Sequence, residues 1–276
     1  MTQQFDQRQY LLRIGYSGVL APTLEVVSEL VARHTRSIPF ENLSSFMGQR
    51  VGLDPSELQQ KMLHDGRGGY CYEQNGLFRM MLESLGLKVE GLAARVLWNA
   101  DPAVMPAISH MLLKTHIEGQ PYLFDVGFGV QTPTAPLRLV TGTQQMTPHG
   151  LYRLSESSGE YLLEADIAGK WVAVYRFDLK PRYPADYQMF NWYVSTHPES
   201  VFVKNLVAAK VVPGARYTLR NNELSIYPNG GPKQRKTLQN PAEIAHKLTS
   251  LFAIRLPHNP GLMVALERLC QSATVI

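Results

Sequence analysis

The chain has 276 residues, 45% of them hydrophobic and 18% charged, with a formal net charge of +4. That is the composition of an ordinary soluble protein of one large domain or two to three small ones. Two cysteines make no disulfide framework, no apolar run reaches the roughly 18 residues of a membrane span, and Met1-Thr2-Gln3-Gln4-Phe5-Asp6 lacks a basic then apolar export pattern, so a cytoplasmic protein without membrane contact is expected.

Residues 1 to about 86 carry helical signals. Thr23 is placed to cap an amphipathic run through Val26, Val27, Leu30 and Val31. Asp54-Pro55-Ser56-Glu57 sets an N-cap, an N1 proline and an N3 acid in the order that starts a helix. His64, in Leu63-His64-Asp65-Gly66, suits the C-terminal end of that helix, where a cation meets the negative end of the dipole. A further helix runs from about Cys71, since Leu77, Met81 and Leu85 recur every four residues, Phe78 and Leu82 widen the stripe, and Gly86 stops it.

From Val89 to about Tyr193 the pattern changes to short strands separated by turn clusters, as in Gly169-Lys170-Trp171-Val172-Ala173-Val174-Tyr175, which suggests a sheet or barrel. Strands near 217–219 and 224–227 then precede two helices opened by Asn240-Pro241 and Asn259-Pro260. Between them, Lys233-Gln234-Arg235-Lys236 follows Asn229-Gly230-Gly231-Pro232 and reads as a solvated turn rather than a phosphate site. The mild positive charge suits a polyanionic coenzyme without calling for nucleic acid. No Cys-x-x-Cys or His-Glu-x-x-His suggests a metal.

The chemistry concentrates in Arg67-Gly68-Gly69-Tyr70-Cys71-Tyr72-Glu73-Gln74-Asn75. A cysteine in the first turn of a helix meets orphan N–H groups and the positive end of the dipole, which favour a thiolate. Lowering a thiol from about 8.5 to about 5 takes roughly 5 kcal/mol, and a helix end supplies only ~0.3–1 kcal/mol. A basic partner must do the rest, and an imidazolium is the usual one. Gly68 and Gly69 permit a tight turn and close approach of a substrate to the backbone. The plainer reading of Cys71 is a buried structural cysteine, and Cys270 reads as core or tail.

Eight histidines compete for the partner role. His110 opens the run Met111-Leu112-Leu113-Lys114-Thr115, and a strand from Tyr122 to Val126 follows the turn-like Glu118-Gly119-Gln120-Pro121. Paired as a hairpin about Ile117-Glu118, these strands put Asp125 opposite His110; paired about Gly119-Gln120, they put Asp125 opposite Lys114 in a cross-strand ion pair. Periodicity leaves both open. His116 falls at the turn, and His34, His149, His197, His246 and His258 have no neighbouring acid or cysteine pattern.

Cys71, His110 and Asp125 with these surroundings resemble the arylamine N-acetyltransferases. The family's landmarks are matched by Pro39-Phe40-Glu41-Asn42, by Arg67, Gly68, Gly69, Cys71, Glu73 and Asn75, by His110 and Asp125-Val126-Gly127-Phe128-Gly129, and by Ala94-Arg95-Val96 and Pro148-His149-Gly150. The resemblance implies an α+β protein with an N-terminal helical bundle (1–86), a central β-barrel (87–193) and a C-terminal α/β lid (194–276) around a cysteine-protease-like core. It implies a catalytic triad of Cys71, His110 and Asp125, and it favours the first of the two hairpin registers. Acetyl-coenzyme A is the implied donor, with no metal, and small aromatic amines and hydrazines are the implied acceptors. Val96, Phe128 and Phe202 are then expected to line the acceptor pocket. Gly127 and Gly129 suggest a loop that approaches the pantetheine arm, or else a strand-ending bulge. A triad cysteine hydrolase or amidase, and a macrocyclic amide synthase of the same family, are the rival readings.

Overall fold

The computed structural model describes residues 4–271. The first three residues of the N-terminal segment therefore lie outside the described residues.

The N-terminal third is helical: α1 (Gln7–Ile14), α2 (Leu24–Ser37), a two-residue strand β1 (Phe40–Glu41), α3 (Leu43–Phe46), α4 (Pro55–Gln59) running into a π turn (Gln60–His64), and α5 (Cys71–Ser84). Thr23 caps α2 as expected, its hydroxyl accepting the Val26 N–H. Asp54 precedes α4, but its side chain makes no capping bond, and Glu57 turns outward to pair with Arg50 instead. An exposed guanidinium competes well for a carboxylate that the helix end holds only weakly. Tyr10, Val27, Leu30, Phe78 and Met81 from α1, α2 and α5 bury their apolar faces in one core.

Eight strands follow: β2 (Glu90–Val96), β3 (Ile108–Ile117), β4 (Gln120–Phe124), β5 (Leu137–Arg138), β6 (Gln144–Thr147), β7 (Gly150–Ser157), β8 (Glu160–Ile167) and β9 (Lys170–Asp178). Their order is β5-β4-β3-β2-β9-β8-β7-β6, a nearly closed barrel. Its open seam is bridged where the Gln145 amide on β6 exchanges two hydrogen bonds with the Arg138 backbone on β5, at 2.7 and 2.9 Å. Strand β3 is apolar on both faces because both are covered. Leu112 points into the barrel core with Leu92, Leu154 and Val174, while Met111 and Leu113 pack on the helical core.

The last part holds α6 (Pro184–Thr196), α7 (Val201–Lys204), β10 (Val207–Val212), β11 (Ala215–Arg220), β12 (Glu223–Pro228), β13 (Gln234–Thr237), α8 (Pro241–Ser250) and α9 (Gly261–Gln271). Residues 184–193, which the sequence pattern assigned to strands, are helical. Tyr187, Phe190, Trp192, Tyr193 and Val194 have strand-like composition, but Pro184 at N1 and the Asp186 carboxylate on the Tyr183 N–H, at 2.8 Å, start a helix. The basic cluster Lys233–Lys236 enters the edge strand β13 rather than a free turn. Arg235 and Lys236 pair with Glu223 and Glu243, and Lys233 lies over the Tyr227 ring. The second sheet, β1-β10-β11-β12-β13, takes its first strand from the N-terminal segment. Phe40 pairs with Ala209, so the C-terminal part is stitched to the segment that approaches the cysteine. Among the described residues no helix is long and apolar enough to cross a membrane.

Candidate active site

Cys71 occupies the first position of α5, after Tyr70 in extended conformation. The first intrahelical bond runs from the Gln74 N–H to the Tyr70 carbonyl, at 2.9 Å. The N–H groups of Cys71, Tyr72 and Glu73 thus belong to the turn that has no intrahelical acceptors.

Buried charges hold the loop ahead of the helix. Arg67 donates through Nε and Nη2 to the two Glu41 oxygens at 2.8 and 3.2 Å, and Glu41 also accepts the Leu43 N–H at 2.7 Å. Burial works against the Glu41 charge, but Lys61 and Arg67 outweigh it and hold the carboxyl below its usual range. Glu73 accepts the Tyr70 N–H and pairs with Lys61 at 2.6 Å, yet burial still leaves its pKa raised. The two glycines serve this packing. A Cβ on Gly68 would lie 1.9 Å from the Pro39 carbonyl oxygen, and one on Gly69 would lie 2.8 Å from the Glu73 Cβ. The close approach expected for a substrate is taken up by the chain's own backbone, the 39–41 segment lying against 68–69.

His110 and Asp125 meet: His110 Nε2 lies 2.7 Å from Asp125 Oδ2, both side chains almost fully buried. They meet in a hairpin whose register is neither of the two expected. Glu118 and Gly119 form a two-residue turn with φ of 53° and 76°, and Leu113 pairs with Phe124 and Ile117 with Gln120. Such tight turns match the right-handed strand twist and so set the register. Continued past Phe124, this register would put Asp125 opposite Leu112, two residues from His110 on the same face. Asp125 instead leaves the ladder, and its side chain closes the remaining gap. Lys114, the rival partner, pairs with Glu90 at 2.9 Å.

The carboxylate is fixed on both oxygens. Asp125 Oδ1 accepts from Asn75 Nδ2 at 3.1 Å and from the Gly127 N–H at 3.0 Å, leaving Oδ2 to the imidazole. Asn75 also accepts the Val126 N–H and donates to the Met111 carbonyl, so one side chain of α5 ties the helix to both barrel segments. Burial penalises a charged His110, but Asp125 and, secondarily, Cys71 outweigh that and raise its pKa to about 10. Since Nε2 is engaged by Asp125, Nδ1 is the nitrogen left to face the sulfur, whose charge is among the influences that favour the protonated ring. On its other side Cys71 Sγ lies 3.7 Å from the Ser109 carbonyl. Ser109 is the extra residue of a bulge, since Ala94 pairs with His110 and Arg95 with Ile108.

Phe128 stands edge-on to His110 at 5.1 Å, and Val96 is the strand partner of Tyr175, whose ring lies 5.1 Å from His110 on another side. Phe202 packs on Phe40 and Tyr70, at 5.7 and 5.4 Å, and its ring contacts do not include His110. A Cβ on Gly127 would come within 2.8 Å of the Cys71 Cα, so its bareness is explained by the approach of this loop to α5. Gly129 has φ of 87°, a left-handed conformation that suits glycine. Sequence reasoning gave no role to Asn75 or Tyr175; for Asn75 the signal was its place one helical turn after Cys71.

A cysteine at a helix start, an imidazole and a buried carboxylate are the group set of thiol enzymes that move acyl groups, to water or to another acceptor. Comparison with known proteins narrows the class. The model of a family described as N-acetyltransferase matches residues 23–260. The arylamine N-acetyltransferase of Mycolicibacterium smegmatis is 42% identical over 91% of this chain and 92% of its own length; that of Escherichia coli is 36% identical over 89% and 87%. The structure of the Mycobacterium marinum arylamine N-acetyltransferase superposes with a TM-score of 0.93 at 41% identity, covering 96% of this chain and all of that one, and it has also been solved in complex with CoA. The chain belongs to the arylamine N-acetyltransferase family and is an acyltransferase.

Proposed function

We propose that this enzyme moves an acetyl group from acetyl-coenzyme A to arylamines, arylhydrazines and N-hydroxyarylamines by way of an acetyl-cysteine at position 71, with Cys71, His110 and Asp125 as a triad in a cysteine-protease-like core. The observation that carries the reading is the buried His110 to Asp125 contact of 2.7 Å beside Cys71. The CoA complex of the M. marinum relative supports the donor.

In the first half-reaction the Cys71 thiolate attacks the thioester carbonyl, the carbon–sulfur bond to coenzyme A breaks, and His110 gives its proton to the departing thiolate. The acetyl-cysteine is neutral, so His110 loses one of the charges that held its proton and is ready to act as a base. In the second half-reaction the amine nitrogen attacks the acetyl carbon, His110 takes the amine proton, and Cys71 leaves as a thiolate. Asp125 holds the ring in one orientation and stabilises its charged form. Val96, Phe128 and Phe202 line the pocket for the aromatic acceptor and exclude water from the acyl group. The backbone of Gly127 and Gly129 takes the pantetheine arm in this reading.

Intact-protein mass after brief exposure to acetyl-coenzyme A tests this directly. One acetyl adduct is expected on the wild type and none on Cys71→Ala. Adding an arylamine should discharge the adduct with stoichiometric acetylated amine. Discharge to water alone would favour the hydrolase, and no adduct at all would end the reading.

A further inference from the structure

Arg216, on β11 of the second sheet, is only 5% exposed, and its guanidinium reaches into the barrel. Nη1 donates to the Thr132 carbonyl at 2.9 Å, Nε and Nη2 donate to the His149 carbonyl at 3.3 and 2.9 Å, and Nη2 also donates to Tyr152 Oη at 3.0 Å. All three acceptors are uncharged oxygens. The Tyr152 hydroxyl donates in turn to the Gln131 carbonyl at 3.1 Å. Thr132 is tied to Gly129 in both directions, its hydroxyl accepting the Gly129 N–H at 2.7 Å and its own N–H donating to the Gly129 carbonyl at 3.3 Å. Every link from β11 to the residue after Phe128 is therefore a hydrogen bond. The segment 125–132 is held at both ends: Asn75 of α5 fixes Asp125 at its start, and Arg216 with Tyr152 fixes 131–132 at its end.

We propose that Arg216 is a positioning residue, which holds the segment 128–132, and with it Phe128, in the conformation that receives both substrates; the inference rests on the reading above of Phe128 and the flanking glycines as substrate contacts. A buried guanidinium is costly unless its donors are met, and a planar fork with donors on three nitrogens meets two loops at once where a single ammonium does not. Glycines at 127 and 129 give the segment wide backbone freedom. Without a hold at its far end, the segment would occupy the receptive conformation for only part of the time. Apparent affinity falls in proportion to that fraction, and saturating substrate restores the lost population. The chemistry at Cys71 is insulated from this loss, because Asp125 keeps its bonds to Asn75, the Gly127 N–H and His110 whether or not the far end is held.

Arg216→Lys keeps a cation and removes the fork. In steady-state assays with acetyl-coenzyme A and an arylamine, KM for both substrates should rise by about tenfold while kcat stays within about twofold of wild type. The pH dependence of Cys71 alkylation by iodoacetamide, which reports the thiolate and its His110 partner, should keep its wild-type midpoint. Tyr152→Phe leaves the ring in the barrel core and removes only the hydroxyl that joins Arg216 to Gln131, so both KM values should rise by a smaller factor, about threefold. This second variant carries the test should Arg216→Lys fail to fold. Unchanged KM values in either folded variant, a fall in kcat at wild-type KM, or a shifted alkylation midpoint would each overturn the proposal. A wild type that transfers no acetyl group would instead defeat the reading on which it rests.

Discussion

His34 in the helical layer and His110 on the barrel edge are both hidden from water, yet one is held neutral and the other charged. His34 accepts from or donates to neutral groups, Tyr10 Oη at 2.8 Å and Gln74 Oε1 at 2.7 Å, and burial lowers its pKa to about 4. His110 meets a carboxylate and a cysteine, and despite the same burial its pKa rises to about 10. Burial sets the penalty for charge, and the partner decides whether the charge survives it. Both histidines touch residues of α5, His34 through Gln74 and His110 through Cys71, so one helix joins a neutral support to a charged reaction centre.

The largest effect is expected from taking away the partner. Asp125→Asn should slow acetylation of Cys71 by about 10³–10⁴-fold, because the amide neither stabilises the imidazolium nor holds the same tautomer. Single-turnover mass measurements on the folded variant check this, and a rate within tenfold of wild type would mean that the carboxylate is not what distinguishes His110 from His34.

The pH dependence of stability comes next, with opposite signs at the two rings. A histidine whose folded pKa lies below its unfolded value of about 6.5 costs stability as pH falls, so protonation of His34 should remove ~3 kcal/mol between pH 6.5 and about 4. The contribution of His110 runs the other way: it is complete below about pH 6.5 and is lost as pH rises towards 10. Urea unfolding across this range should show His34→Gln flattening only the acid limb and His110→Gln only the alkaline one. Exchanged limbs would reverse the assignment of charge.

The smallest effect belongs to a charge pair outside both layers. Arg153 and Glu164 meet at 2.7 Å on the barrel surface, with the arginine over Trp171. Removing Glu164 should cost less than about 1 kcal/mol in urea unfolding, since solvent screens the pair. A loss of several kcal/mol would show that charge pairing matters as much at the surface as at the buried His110.

Some of this was legible locally. The Thr23 cap and the period of α5 were readable because a helix is written in contacts three and four residues apart. So was Cys71 at a helix mouth, and His34 as a histidine without an acid. The hairpin register was not, since a turn of Glu118-Gly119 and one centred a residue away differ by little in local preference. Nor was α6, where aromatic composition argued for strand while Pro184 and Asp186 argued for helix, and packing of Tyr187 and Val194 sides with the helix.

The amino-acid sequence by itself determined the family, the change from an N-terminal helical part to a run of strands, and the three residues that the proposed chemistry needs, because motifs and periods are properties of neighbours along the chain. Only the tertiary structure decided that Asp125 leaves its ladder to meet His110 and that Asn75 and Gly127 fix its other oxygen. Those facts depend on which groups remain unpaired after the helical layer, the barrel and the second sheet have packed. No stretch of chain taken alone carries that sum.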